Sequence, residues 1–251
     1  MIISIMLQSS FITRLAALSV VLTSCTTLPL PFQGNSSTHN TLGHRPGPSG
    51  FKVVMIDAGH GGKDNGAVSR FTKQKEKDLA LDTAKRIRQQ LAPDFKVILM
   101  RSNDTFIDLD ERVARANRSG AAVLVSVHFN SGPSNCCGPE TYYWRVDSHG
   151  LATRLQQAMS RACPTGDSCR GLVRRRIRLT RNPTIPCVLV EGGYLSHASE
   201  SRRISDPSYR QKLATAIASA IRTQSAIGDA GTGPLPRPIN APPSRPTDPR
   251  Q

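Results

Sequence analysis

Four side chains in this sequence have the chemistry to bind a metal ion and to move a proton beside it: His60, Glu76, His128 and Glu191. Two imidazoles and a carboxylate that leave a fourth position open are an arrangement used for catalytic zinc. Zinc is redox-inert, accepts tetrahedral geometry and lowers the pKa of bound water toward neutrality. A further carboxylate outside the ligand set can take the proton from that water and return it to a leaving amine. The four residues are scattered along the chain and form no His-Glu-x-x-His helix, so spacing alone leaves plainer readings open. His60 stands among glycines as a turn residue would. His128 ends an apolar run as a hydrogen-bonded core histidine would. Glu76 lies in Lys75-Glu76-Lys77-Asp78, where a helix start favours acids. Glu191 follows Val188-Leu189-Val190 directly, and a carboxylate is costly to bury there without a partner. His39 and His44 fall in a polar linker, and His149 and His197 in polar loop sequence, so these carry no such expectation.

The elements that must position the four can be read from periodicity. Residues 52–57 (KVVMID) form a short β-branched run entering a Gly-rich loop that contains His60. Residues 76–91 read as an amphipathic helix with Ala80, Ala84, Ile87 and Leu91 on one face. Residues 95–100 are the next strand, and 109–117 a second helix that Asp108 can cap. Residues 122–128 are a strongly apolar strand ending at His128, and 141–145 a strand expected near the surface. Leu151, Leu155 and Met159 mark a third helix, and residues 187–190 a buried strand running into Glu191. The last helix has Asp206 as its cap, Pro207 in its first turn and a stripe of Leu213, Ile217 and Ile221. Strands alternating with helices predict an α/β fold: one layered domain, a largely parallel twisted sheet with helices on both faces. In such sheets sites form beyond the carboxyl ends of the strands, and that is where His60, His128 and Glu191 fall.

The motifs around these residues resemble a known family. Ile56-Asp57-Ala58-Gly59-His60-Gly61-Gly62-Lys63-Asp64-Asn65-Gly66-Ala67 is similar to the first signature of the zinc-dependent N-acetylmuramoyl-L-alanine amidases, and Glu76-Lys77-Asp78-Leu79-Ala80-Leu81 to the second. Arg101-Ser102-Asn103-Asp104, Leu109 through Arg112, and Ala116-Asn117 resemble the middle block. Ser126-Val127-His128-Phe129-Asn130-Ser131 resembles the second-histidine motif, Gly138 to Tyr143 the strand after it, and Val188 to Ser196 the final block. The resemblance runs in family order over about residues 52–224. It implies that His60, Glu76 and His128 bind Zn2+, that Glu191 is the catalytic carboxylate, and that Asp57 and Asn130 support them from behind. The implied reaction is hydrolysis of the amide joining muramic acid to L-alanine in peptidoglycan. His197 stands where the family commonly has asparagine, and Cys136-Cys137 is unusual after the second histidine. The short interval between His128 and Glu191 leaves no room for the long inhibitory helix of some relatives, so an open site is expected. Two other readings remain: a non-catalytic wall-binding lipoprotein, and a zinc peptidase cutting within the stem peptide.

The flanks differ from the middle. Residues 1–24 read as a lipoprotein signal peptide, with an apolar run after Arg14 too short to span a bilayer. Leu22-Thr23-Ser24-Cys25 resembles a lipobox, implying a lipid anchor at Cys25 and a periplasmic, membrane-tethered protein, at the outer membrane in a Gram-negative host. Residues 25–50 form a Ser-, Thr-, Pro- and Gly-rich tether, 51–227 the catalytic domain and 228–251 a Pro-rich disordered tail. The formal charge of +15 calls for an anionic neighbour. Export points that charge at envelope polymers rather than nucleic acid, and the chain is expected to be monomeric. Arginines 174, 175, 176, 178 and 181 are the densest basic run, read either as a groove lining or as a solvated edge. Cys163 and Cys169 flank a short loop that a disulfide could close, and Cys187 is expected to be buried.

Overall fold

Alternating apolar side chains build two faces onto the first strand. In the computed structural model, which describes residues 46–163 and 170–239, β1 (Val53–Ala58) turns Val54, Ile56 and Ala58 into a large core and Met55 into a smaller one on the opposite face. The remaining strands are β2 (Lys96–Leu99), β3 (Val123–Asn130), β4 (Glu140–Tyr143), β5 (Leu172–Arg174) and β6 (Cys187–Tyr194). Their order across the sheet is β2-β1-β3-β6-β4-β5. All neighbours run parallel except β4 and β6, which are antiparallel.

Helices cover both faces, as the alternating pattern requires. On the large core lie α1 (Glu76–Leu91), α3 (His149–Ala162) and α6 (Pro207–Ile227), which contribute Ala84, Ile87, Leu151, Leu155, Leu213 and Ile217. On the smaller core lie α2 (Leu109–Arg118) and α4 (Arg178–Arg181), through Ala116 and Leu179. The anticipated caps are present: Asp108 accepts from the Asp110 and Glu111 amides, and Asp206 from the Ser208 amide with Pro207 in the first turn. A short α5 (Ala198–Ser205) joins β6 to α6. Among the described residues no helix is long and apolar enough to cross a membrane.

One strand departs from expectation. β4 is not near the surface; every residue from Glu140 to Tyr143 is buried. β5 covers its outer edge, and the segment supplying that cover is only three residues long beside an arginine run. Cys187 is fully buried, and burial pushes its thiol well up. The signal, the lipobox Cys25, the proposed pairing partner Cys169 and most of the 25–50 tether lie outside the described residues. Past Ile227 the chain still packs: Asp229 accepts from the Gly47 amide at 2.7 Å and from Gln224 Nε2 at 2.8 Å. Arg154 Nη2 donates to the carbonyls of Gly228 and Ala230. The expected tail boundary at 228 therefore falls within a packed corner where residues 46–50 meet residues 228–232.

Candidate metal centre and catalytic carboxylate

Side-chain parity along the strands aims the site. On β3, Leu124 belongs to the smaller core and Ser126 points the same way, so His128 continues that row at the strand's carboxyl end. On β6, Cys187 sets the same parity, and Glu191 stands in parallel register with His128. His60 lies two residues past β1 with φ +58, a left-handed backbone uncommon for a residue with a Cβ. Glu76 is the first residue of α1, and its side chain turns to the two imidazoles.

The three groups meet at one carboxylate oxygen. Glu76 Oε1 is 2.9 Å from His60 Nε2 and 2.8 Å from His128 Nδ1. Its other oxygen accepts from the Ala67 amide at 2.9 Å, which locks the carboxylate plane. The two rings are edge-on with centroids 4.9 Å apart. One ligand atom from each residue lies within 4.8 Å of the others, which suits a small cation with mixed nitrogen and oxygen donors. Burial pushes the Glu76 carboxyl up, but hydrogen bonds and charge from His128 and His60 outweigh it and hold the acid well below its usual range. Burial alone would lower the His60 imidazole; Glu76 and Asp64 reverse that and leave it raised. Asp64 Oδ2 lies 2.8 Å from His60 Nδ1. An Nδ1 proton donated there leaves Nε2 as the coordinating nitrogen. The sequence reading missed Asp64, although an acid four residues after His60 was a signal for it.

Glu191 completes the edge. Its Oε2 is buried and has no hydrogen-bond partner. Burial raises its carboxyl well above the ordinary value, and the charges of Glu76 and Glu140 add to the rise. Glu140 is the residue opposite Glu191 on β4, fully buried. It accepts from Tyr142 and Tyr194 hydroxyls at 2.5 Å each and from Asn130 Nδ2 at 3.1 Å. Burial and that contact push the Tyr142 phenol up to about 12. Asn130 therefore acts on Glu140 rather than on the imidazoles. Asp57 sits one layer below, held by Arg112 and by Ser126 Oγ at 2.7 Å. Side-chain exposures of 22% for His60 and 16% for His128 leave the cluster reachable from solvent. The longest helix between His128 and Glu191, α3, packs on the large core.

Two arginines of the run are tied up within the fold. Arg174 pairs in register with Tyr143, which pairs with Val188, three residues along β6 from Glu191. Its guanidinium donates to the carbonyls of Trp144 and Arg237, and Arg181 is buried.

Comparison with known proteins places this geometry. The family model described as N-acetylmuramoyl-L-alanine amidase matches residues 54–223. An uncharacterized protein of Bacillus subtilis strain 168, YqiI, is 35% identical over 175 residues, covering 68% of this chain and 83% of that one. The N-acetylmuramoyl-L-alanine amidase LytC of the same organism is 34% identical over 172 residues, 66% of this chain but only 34% of LytC. Among solved structures, the catalytic domain of CwlV, an N-acetylmuramoyl-L-alanine amidase from Bacillus (Paenibacillus) polymyxa var. colistinus, superposes with a TM-score of 0.65 at 40% identity, covering 69% of this chain and 97% of that one.

Proposed function

The chain belongs to the N-acetylmuramoyl-L-alanine amidase family, and from that membership we propose that it is a zinc-dependent hydrolase of the bond between the muramic acid lactyl group and L-alanine in peptidoglycan. The observation that carries the reading is the buried, unpartnered Oε2 of Glu191 beside the His60–Glu76–His128 cluster. A carboxylate without a partner is a poor structural element and a suitable proton acceptor for a group brought in with substrate.

His60 Nε2, Glu76 Oε1 and His128 Nδ1 would hold the metal. Zinc bound there would supply a Lewis acid for the scissile carbonyl and for the attacking water. Glu191 would take the proton of that water and deliver it to the departing amine of L-alanine. Asp64 and Ala67 would keep His60 and Glu76 from turning away. Glu140, clamped by two tyrosines, would hold its place opposite Glu191.

The cellular setting is part of the same proposal. Residues 1–24 would direct export and Cys25 would carry a lipid, leaving a monomer acting on the wall from a membrane without an activator. Mass spectrometry of peptidoglycan digested by the full mature chain tests the chemistry, with and without a chelator and beside Glu191→Gln. Free stem peptides beginning with L-alanine are expected, abolished by chelation and reduced roughly 10²–10⁴-fold in the variant. Cuts inside the stem peptide, or turnover that survives chelation, would sink the reading.

A further inference from the structure

The loop that carries His60 and the helix that carries Glu76 are joined by one side chain. Arg101 lies just past β2 and is 4% exposed. Its Nε donates to the Ala58 carbonyl at 2.9 Å and its Nη1 to the Asn103 carbonyl at 2.9 Å. Nη2 donates twice, to the Gly59 carbonyl at 2.7 Å and to the Lys77 carbonyl at 2.8 Å. Gly59 precedes His60, and Lys77 follows Glu76. Among the described residues no carboxylate pairs with this guanidinium, so it is a buried cation whose donors go to backbone. Burial, then the neighbouring Arg112 charge, lower its hold on a proton.

Such a group is expensive to bury, and hydrophobic packing would fill the space at lower cost. Its geometry is what lysine or an apolar residue lacks: a planar fork that reaches carbonyls on several sides at once. Arg112 completes the hold on the loop, donating to the carbonyls of Ala58 and His60. Three consecutive carbonyls, 58 to 60, are thus fixed by two guanidinium groups, which supports the left-handed backbone at His60. Gly61 leaves room for this packing: a Cβ there would lie 2.2 Å from the Thr105 carbonyl oxygen and 3.1 Å from Arg101 Cδ and Nε.

We propose that Arg101 is a positioning residue for the metal centre: by bridging the Gly59 and Lys77 carbonyls it sets the separation of His60 from Glu76, and so the affinity for zinc. This rests on the zinc reading above. The experiment measures zinc dissociation constants by chelator competition on the full chain, wild type against Arg101→Lys and Arg101→Ala. Ile221→Ala, a core truncation on α6 next to Arg222, which bonds Gln90 and Asp94 at the end of α1 away from Glu76, serves as a control for lost stability, and apo-protein melting temperatures are recorded for all four. Both Arg101 variants are expected to bind zinc roughly 10–100-fold more weakly. The control should stay within about twofold of wild type, since a remote truncation removes none of the supporting hydrogen bonds. Millimolar guanidinium should restore part of the affinity to Arg101→Ala and none to the control. Wild-type affinity in the Arg101 variants, or a loss no greater than the control shows, would overturn the proposal. Failure of both Arg101 variants to fold would overturn it too, because the side chain would then serve the fold and not the site. A wild-type protein that binds no zinc removes the zinc reading itself, a result seen before any variant is made.

Discussion

Gly59 lies so close under His128 that a Cβ there would meet the ring at 2.2 Å from Cε1 and 2.4 Å from Nε2. Alanine at 59 must therefore push the imidazole off Glu76. We expect Gly59→Ala to lose most of its zinc binding while its far-ultraviolet circular dichroism stays that of the wild type; unchanged zinc affinity would show that the ring has room to move. At this scale the sequence was most informative about residue types. His60, His128 and Glu191 were legible because each ends an apolar strand pattern at the edge where α/β sheets gather their chemistry. Glu76 was legible more faintly, as an acid opening the helix after the first loop, because an acid at a helix start has an ordinary explanation; likeness to the family strengthened it. Asp64, Glu140 and Arg101 were not seen as parts of the site. Their roles are contacts through space, to an imidazole, to two phenols and to backbone carbonyls, and periodicity carries no information about those.

Between elements, α1 and α6 are pinned by Asp82. Its carboxylate accepts from Arg86 Nε on its own helix at 2.8 Å and from Arg210 Nε on α6 at 2.5 Å. Burial pushes this carboxyl up, but the two guanidinium bonds outweigh it and set it below its ordinary 3.8. A folded-state pKa below the unfolded one means stability that is present above 3.8 and lost as pH falls through the folded value. In the chelated protein, Asp82→Asn should lower the urea midpoint at pH 6, and the gap to wild type should close in acid as pH falls through the folded value. A gap that stays constant with pH would show that the pair does not act through charge. The effect is modest, because Asp82 keeps 36% of its side chain in water. The main elements were legible from their apolar stripes and caps. β5 and α4 were not, because strands and helices of three and four residues inside an arginine-rich segment offer too few positions for a period to show. Missing β5 is what made β4 look like a surface strand.

At the scale of the molecule, the packed chain closes on itself. Gly50 N donates to the Ser225 carbonyl at 2.6 Å, and Asp229 ties Gly47 to the end of α6. Asp229→Ala removes two side-chain acceptor contacts, at about 2 kcal/mol in all. The melting temperature should fall by roughly 4–8 °C for a chain of this size. No change would mean that the corner forms without them. Alternation of strand and helix was enough to anticipate the layered sheet, whereas this corner depends on residues that look like linker and tail. Its position has a consequence for reach. β1 begins beside the corner and ends two residues before His60, a run of six residues and about 20 Å. The corner thus lies about one strand length from the edge that holds His60. Strain applied at that corner would reach the site only through the paired backbone of β1, which is hydrogen-bonded on one side to β2 and on the other to β3.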